Sequence, residues 1–256
     1  MAIKRIVAYF RVQIKIYLRN KSALFVVLLF PIMMTFIFGS IMSSKYLQIV
    51  IPGLIGFAIL ADSLFSLTTM VAKYRLIHLF SELSLTPLKR SEWLIAVFLW
   101  HLIIATISFT LIAGLGYFAY SASINLSIWI SVYLFFGTLL FVSLGLLIGN
   151  VAKTTETASV IGNTVGFPMM MLTGTFFPVS LLPSYLQEFI RILPLYYFVQ
   201  GLGDIMVTGK AIEGLLYLLV LLVMSIVFFW MAIYTFKWRD SSSVSKIARP
   251  LQKIQI

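Results

Sequence analysis

The chain has 256 residues, of which 61% are hydrophobic and 11% charged, against roughly 45–50% apolar and about 25% charged in soluble domains. A water-soluble core cannot absorb so much apolar surface, so the composition excludes a soluble domain and predicts an all-α, polytopic membrane protein. The lack of cysteine excludes thiolate metal sites, disulfide frameworks and cysteine nucleophiles, and the net charge of +11 lies beside apolar runs, where anionic headgroups or an acidic partner explain it better than nucleic acid.

In chain order, residues 1–22 place Ile3, Ile6, Val7, Phe10, Ile14 and Leu18 at helical spacing, with Lys4, Arg11 and Lys15 on other faces. This predicts an amphipathic helix along the inner membrane surface; a solvated basic flank is the alternative. Six apolar runs follow within a transmembrane domain over 23–236: 24–42, 50–71, 93–118, 127–149, 158–176 and 214–236. Each is near or above the ~20 residues a bilayer crossing requires. The first exceeds the roughly 7–15-residue apolar core of a secretory signal and has no clear A-x-A cleavage site, so it reads as a permanent span. Six crossings and short loops fill the chain, and any soluble machinery is expected on another chain.

Lysine and arginine set the orientation. One side holds Lys4, Arg5, Arg11, Lys15, Arg19 and Lys21, the loop residues Lys73, Arg75, Lys89, Arg90 and Lys153, and the tail residues Lys237, Arg239, Lys246, Arg249 and Lys253. The other side holds Lys45, Arg191 and Lys210. Sixteen against three places both termini, including a basic tail over 237–256, in the cytoplasm.

Asp62 is the acid deep inside a span, which makes it a functional candidate by default; Ser63, Ser66, Thr68 and Thr69 around it would suit either a cavity lining or hydrogen bonding inside the bundle. His78 falls in the loop over 72–92 and His101 in the third span, both without companions at metal spacing. An interhelical hydrogen bond is the expected role of His101. Gly145 and Gly149, and Gly162 and Gly166, are spaced for close helix approach. In the fifth span Ser159, Asn163, Thr164, Thr173 and Gly174, with Pro168, suggest a face toward protein or water. Residues 177–213 are too long for a turn and too apolar for a plain loop, so short helices dipping back toward the membrane are expected. One is predicted over 186–193, with Glu188 and Arg191 close enough to pair. No G-x-x-x-x-G-K-[ST] phosphate cradle occurs, since Gly203 to Ala211 has the wrong spacing and lacks the hydroxyl; the chain is not expected to hydrolyse ATP itself.

The fifth span and outer segment read Asn163, Pro168, Leu172-Thr173-Gly174-Thr175-Phe176-Phe177-Pro178, Leu182-Pro183, Leu186-Gln187 and Pro194-Leu195-Tyr196-Tyr197 with Gly201. In order and spacing this resembles the ABC-2 type permease family, the membrane subunits of bacterial ABC exporters. The layout agrees over nearly the whole chain, including a cytoplasmic loop that ends Leu85-Thr86-Pro87-Leu88. One departure is that family members often carry an acidic, glycine-containing run ahead of the Thr-Pro, where this chain has Lys73-Tyr74-Arg75 and His78.

The resemblance implies a permease chain in the bacterial cytoplasmic membrane, paired with a second permease, identical or related, and docked on two cytoplasmic ATP-binding subunits. ATP and magnesium would be bound by those subunits, and no cofactor by this chain. Contact with the ATPase would run through a coupling helix within 75–87, with Arg75, His78, Ser81, Glu82, Leu83, Thr86 and Pro87 as candidates. Spans two and five would line the substrate path, at Asp62, Phe65, Ser66, Asn163, Phe167, Met170 and Thr173. Phe176, Phe177, Pro178 and Leu182 would form the outer gate. The cargo would be a hydrophobic drug, a peptide antibiotic or a lipid-like molecule, with a lipid-linked polysaccharide as an alternative. The rival classes are an intramembrane enzyme, for which Asp62 and His101 are too few ionisable groups, a secondary transporter, for which no internal repeat stands out, and a membrane anchor or immunity protein.

Overall fold

The computed structural model describes residues 2–209 and 211–236. The predicted basic tail over 237–256, and Lys210, lie outside the described residues. Among the described residues every regular element is helical. α1 (Ala2–Arg19) stops at Asn20, and α2 (Lys21–Leu24), a widened π turn (Phe25–Leu29) and α3 (Phe30–Ile41) make up the next rod. The wide turn immediately precedes Pro31, whose ring clashes with the carbonyl four residues back in a regular helix. After a short corner capped by the Ser43 hydroxyl, α4 (Ser44–Leu60), a second π turn (Ala61–Ser66) and α5 (Leu67–Leu76) run as one rod.

Beyond the short α6 (Leu79–Leu83) come α7 (Arg90–Tyr120), α8 (Ile128–Val151) and α9 (Thr155–Leu172). Each start has a visible cause. The Glu92 carboxylate accepts the Lys89 amide at 2.9 Å, Ser127 accepts from Trp129, and Thr154 accepts from Thr157 at 3.1 Å. The outer segment then folds into a single 3₁₀ turn (Val179–Leu181), α10 (Ser184–Ile190), α11 (Pro194–Gly203) and a π turn (Asp204–Thr208), before α12 (Ala211–Thr235). Pro194 opens α11 at a position where its missing N–H costs nothing.

Among the described residues four rods are long and apolar enough to cross a bilayer: Ser44–Leu76, Arg90–Tyr120, Ile128–Val151 and Ile212–Thr235. The predicted runs 50–71, 93–118 and 127–149 fall almost wholly within the first three. The run 24–42 corresponds to a shorter apolar stretch, Phe25–Ile41. The run 158–176 overlaps α9, whose Glu156, Thr157, Ser159, Asn163 and Thr164 dilute its apolar character. Ser44–Leu76 is the most enclosed of the four rods, and Ile212–Thr235 the most exposed.

The main core gathers side chains of α4, α7, α8, α11 and α12, with Tyr133, Phe141 and Phe198 wholly buried. Close approach sets two glycines in the central rod. A Cβ on Gly53 would collide with the Thr175 backbone, and one on Gly56 would press on Leu195, Val199 and Phe198. The outer segment is thereby packed onto α4. The side-chain pair expected between Glu188 and Arg191 does not form; the Arg191 amide donates to the Glu188 carbonyl instead.

Candidate functional site

The corner after α5 is tightly specified. His78 adopts left-handed backbone geometry (φ 56°) and reverses the chain into α6. Behind α6, the Ser84 hydroxyl donates to the Ser81 carbonyl and the Thr86 hydroxyl to the Leu83 carbonyl, both at 2.7 Å. The inward face of α6 is Phe80, which stands perpendicular to both Trp93 and Phe236, with ring centroids 5.2 Å away in each case. Trp93 and Phe236 stack in parallel at 5.2 Å, while Tyr74 and Tyr9 close the cluster at its sides. Burial, reinforced by Tyr74, pushes the Tyr9 phenol far above its ordinary range. The Arg90 guanidinium lies 5.2 Å from the centre of the Phe236 ring and donates to the Ile233 carbonyl. One small helix is thus held by α1, α5, α7 and the end of α12.

Of the predicted coupling residues, His78, Glu82, Thr86 and Pro87 are exposed, whereas Ser81 and Leu83 are partly covered. Arg75 turns the other way: its guanidinium donates to the Asn150 side chain at 2.9 Å, bracing α5 against the end of α8.

A second constellation lies deeper. Asp62 sits in the π turn of the central rod, 1% exposed, with both oxygens occupied. Tyr17 donates its hydroxyl to Oδ1 at 2.7 Å, and His101 Nδ1 bonds Oδ2, also at 2.7 Å. Burial, then the neighbouring carboxylate, raises the Tyr17 phenol far beyond its normal pKa, which keeps it a donor. Trp100 packs edge-on against Tyr17 at 5.0 Å and against Phe10 at 5.9 Å. At the near end of α1, Arg5 clasps Glu92 through contacts of 2.6–3.2 Å. The first helix therefore rises along α7: Arg5 meets its first turn and Tyr17 reaches a level more than two turns further in. His101 forms an interhelical bond, as its sequence setting suggests. The covered face of α1 is Ile6, Tyr9, Phe10, Gln13, Ile14 and Tyr17, leaving Ile3, Val7 and Leu18 exposed. It is rotated from the purely apolar stripe because tyrosines and Gln13 find partners within the bundle.

The central rod meets both α8 and α9 along small residues. A Cβ on Gly166 would strike Phe65, one on Gly145 the Ser63 carbonyl, and one on Gly149 the Val71 side chain. Phe65 and Phe167 lie 6.0 Å apart in a tilted pair. Asn163 and Ser66 are half-buried and Phe167 is exposed. Met170 is buried with Phe57, Trp100 and Tyr17, and Thr173 bonds back to the Met169 carbonyl at 2.6 Å. The expected path residues thus divide between an open face of α9 and the buried seam behind it. Phe176 lies between Phe38 and Phe57, at 6.3 and 6.4 Å, and accepts a bond from Tyr46. Phe177 and Pro178 are half-buried beside it, and the Leu182 carbonyl accepts from Gln187 at 2.7 Å. Among the described residues no group of three or more His, Cys, Asp or Glu side chains could hold a metal ion.

The family model for the ABC-2 type transporter matches residues 4–207, the stretch containing the corner after α5, the Asp62 link and most of the segment between α9 and α12. The chain belongs to the ABC-2 type transporter family. Among similar proteins, YvfS of Bacillus subtilis (strain 168), named as a transport permease, is 25% identical over 210 residues, 77% of this chain and 84% of that protein. ABC transporter G family member 20 of Dictyostelium discoideum is 26% identical over 173 residues, 67% of this chain. The chain aligns with only 24% of that longer protein. The apolar rods and the family together make the chain an integral membrane protein and the transmembrane part of an ABC transporter, which implies an ATP-binding-cassette partner.

Within this ABC-2 chain, sequence reasoning missed Tyr17, Phe80, Trp93, Phe236, and the Arg5 and Glu92 pair. A signal existed for the pair: Glu92 stands at the mouth of a span, where an acid close to lipid calls for a cation. The aromatic cluster has no such signal, since Tyr9, Tyr74, Phe80, Trp93 and Phe236 come from five separate segments.

Proposed function

We propose that this ABC-2 chain is the permease subunit of an ATP-driven exporter in the bacterial cytoplasmic membrane. It has six spans and both termini in the cytoplasm, with α1 entering the inner half of the bundle along α7 and α10 and α11 as outer re-entrant helices. A second permease chain stands against the open face of α9, and two ATP-binding subunits dock below. The observation that carries this reading is α6: a short helix with exposed His78 and Glu82, bolted through Phe80 to α5, α7 and the end of α12. Such an element cannot move without moving its supports, as a lever between an ATPase and a membrane bundle requires. ATP-driven closure of the partner contributes its differential affinity for the two permease conformations and nothing more.

The cargo in this reading is a hydrophobic or amphipathic molecule, because Phe65, Phe167 and Met170 give the path between spans two and five an apolar, adaptable lining. Phe176, Phe177, Pro178 and Leu182 close it on the outer side. Purification of the tagged chain from native membranes should bring down a P-loop ATPase with vanadate-sensitive activity. Glu82→Lys and Leu83→Asp should abolish transport in a complex that still assembles. Absence of any ATPase under mild detergent, or unchanged transport in both variants, would overturn the reading.

A further inference from the structure

One cavity lies away from the α9 path, on the outer half of α7. It measures about 600 Å³ and lies between α7 and the segment 124–126. A second hollow of about 360 Å³ shares Thr110, Gly114 and Phe118 with it and reaches Ile32 of α3. Together they form one elongated groove. Phe109, its deepest α7 residue in the larger hollow, stands eleven positions before the end of α7 at Tyr120. At 1.5 Å per residue the groove descends about 16 Å from that end, roughly half of the hydrocarbon thickness.

Its walls are apolar along its length. Thr110 donates its hydroxyl to the Thr106 carbonyl at 2.8 Å, so its polar atom is already satisfied by the helix. Gly114 forms the floor, and a Cβ placed there would meet nothing within 4 Å. Asn125 lies at the opposite, outer end, where its backbone N–H donates to the Met206 carbonyl at 2.8 Å. On its other side the groove continues into the exposed stripe Ile103, Ile107 and Leu111, the face of α7 that meets lipid. An apolar channel half a bilayer deep, open to lipid along its side and polar only at its outer mouth, has the profile of one phospholipid in one leaflet.

We infer that this groove is a specific binding site for an acyl chain of an outer-leaflet phospholipid, with Asn125 at headgroup level. The inference rests on α7 crossing the membrane in the proposed orientation, with its Tyr120 end outward, and not on any transport step. A helix from a second protein is the poorer occupant, because Phe118, 85% exposed, stands up as a wall beside the glycine floor.

The test uses the full-length chain in nanodiscs of phosphatidylethanolamine and phosphatidylglycerol, doped with phosphatidylglycerol carrying a diazirine on its acyl chain. Adducts are mapped by mass spectrometry after irradiation. Residues 109–118 should carry at least about fivefold more label than the equally lipid-exposed 216–230 of α12. Gly114→Trp and Gly114→Leu should lower groove labelling to the α12 level and leave α12 labelling and the melting temperature unchanged, while Gly114→Ala should retain most of it. Equal labelling of the two faces in the native chain, or groove labelling that survives both bulky substitutions in a folded protein, would overturn the assignment. Neither result depends on ATPase or transport activity, so the exporter reading stands or falls separately.

Discussion

Removing one hydroxyl should loosen the whole first helix. In Tyr17→Phe the ring and its edge-on contact with Trp100 remain, but Asp62 Oδ1 loses a 2.7 Å bond in a site where the carboxyl group is 1% exposed. Hydrogen bonds to a charged group contribute about 1.5–3 kcal/mol, and an orphaned buried acceptor retains its desolvation penalty. The expected loss is therefore about 2–3 kcal/mol, read as a shift in reversible unfolding of the purified chain in mixed micelles. Asp62→Leu removes the acceptor for both Tyr17 and His101, so Tyr17→Phe added to it should cost little more. The cycle should show a coupling of about 1–3 kcal/mol. Additive effects, or Tyr17→Phe within about 0.5 kcal/mol of wild type, would refute the view that Asp62 joins α1 to the central rod.

Phe80→Ala should cost about 3–5 kcal/mol, the range for emptying a buried aromatic site, and should lower the melting temperature while uncoupling nucleotide hydrolysis from transport; full coupling in a folded Phe80→Ala protein would remove α6 as the lever. At His78 the left-handed backbone disfavours branched side chains, so His78→Val should destabilise by about 1–2 kcal/mol and His78→Gly should not, as measured by thermal unfolding. Glu156 is held below the usual glutamate range by the amide at its own position, then by the Thr155 and Thr154 hydroxyls. A lowered folded pKa means that its contribution is present above about pH 4.3, the unfolded value, and is lost as pH falls through the lower folded value. Amide exchange in the first turn of α9, compared with Glu156→Gln, should therefore converge with that variant at acid pH and be slower above pH 5.

The long apolar rods were legible because bilayer crossing imposes a length and a composition that local sequence must satisfy. The Thr154 and Ser127 caps lie where a polar residue precedes an apolar run. Less was legible wherever partners come from distant segments. Tyr17 and Asp62 are 45 positions apart, and Phe80 finds Phe236 across most of the chain. α1 illustrates the limit well: its apolar stripe was visible, but the face it buries is set by Asp62 and Trp93, which no reading of residues 1–22 contains. The expected Glu188 and Arg191 side-chain pair is absent, and both side chains are exposed. At the coupling loop, Arg75 has the right charge and position for a surface contact, yet Asn150 draws it inward.

The wide turn over residues 61–66 has a geometric consequence for the rod that contains it. A surplus residue advances everything beyond it by about 100° around the axis, one step of a 3.6-residue spiral. Above the turn, Gly53 must face Thr175 and Gly56 must face Leu195; below it, Thr68 and Val71 must face Gly145 and Gly149. A regular 3.6-residue spiral would set Gly53 and Val71 on one face, and the surplus residue turns them apart by about 100°, so one continuous rod serves both sets of neighbours. Shortening the turn by a single residue would dial the lower half out of its seat while leaving the upper half in place, and the coupling corner would point in a new direction.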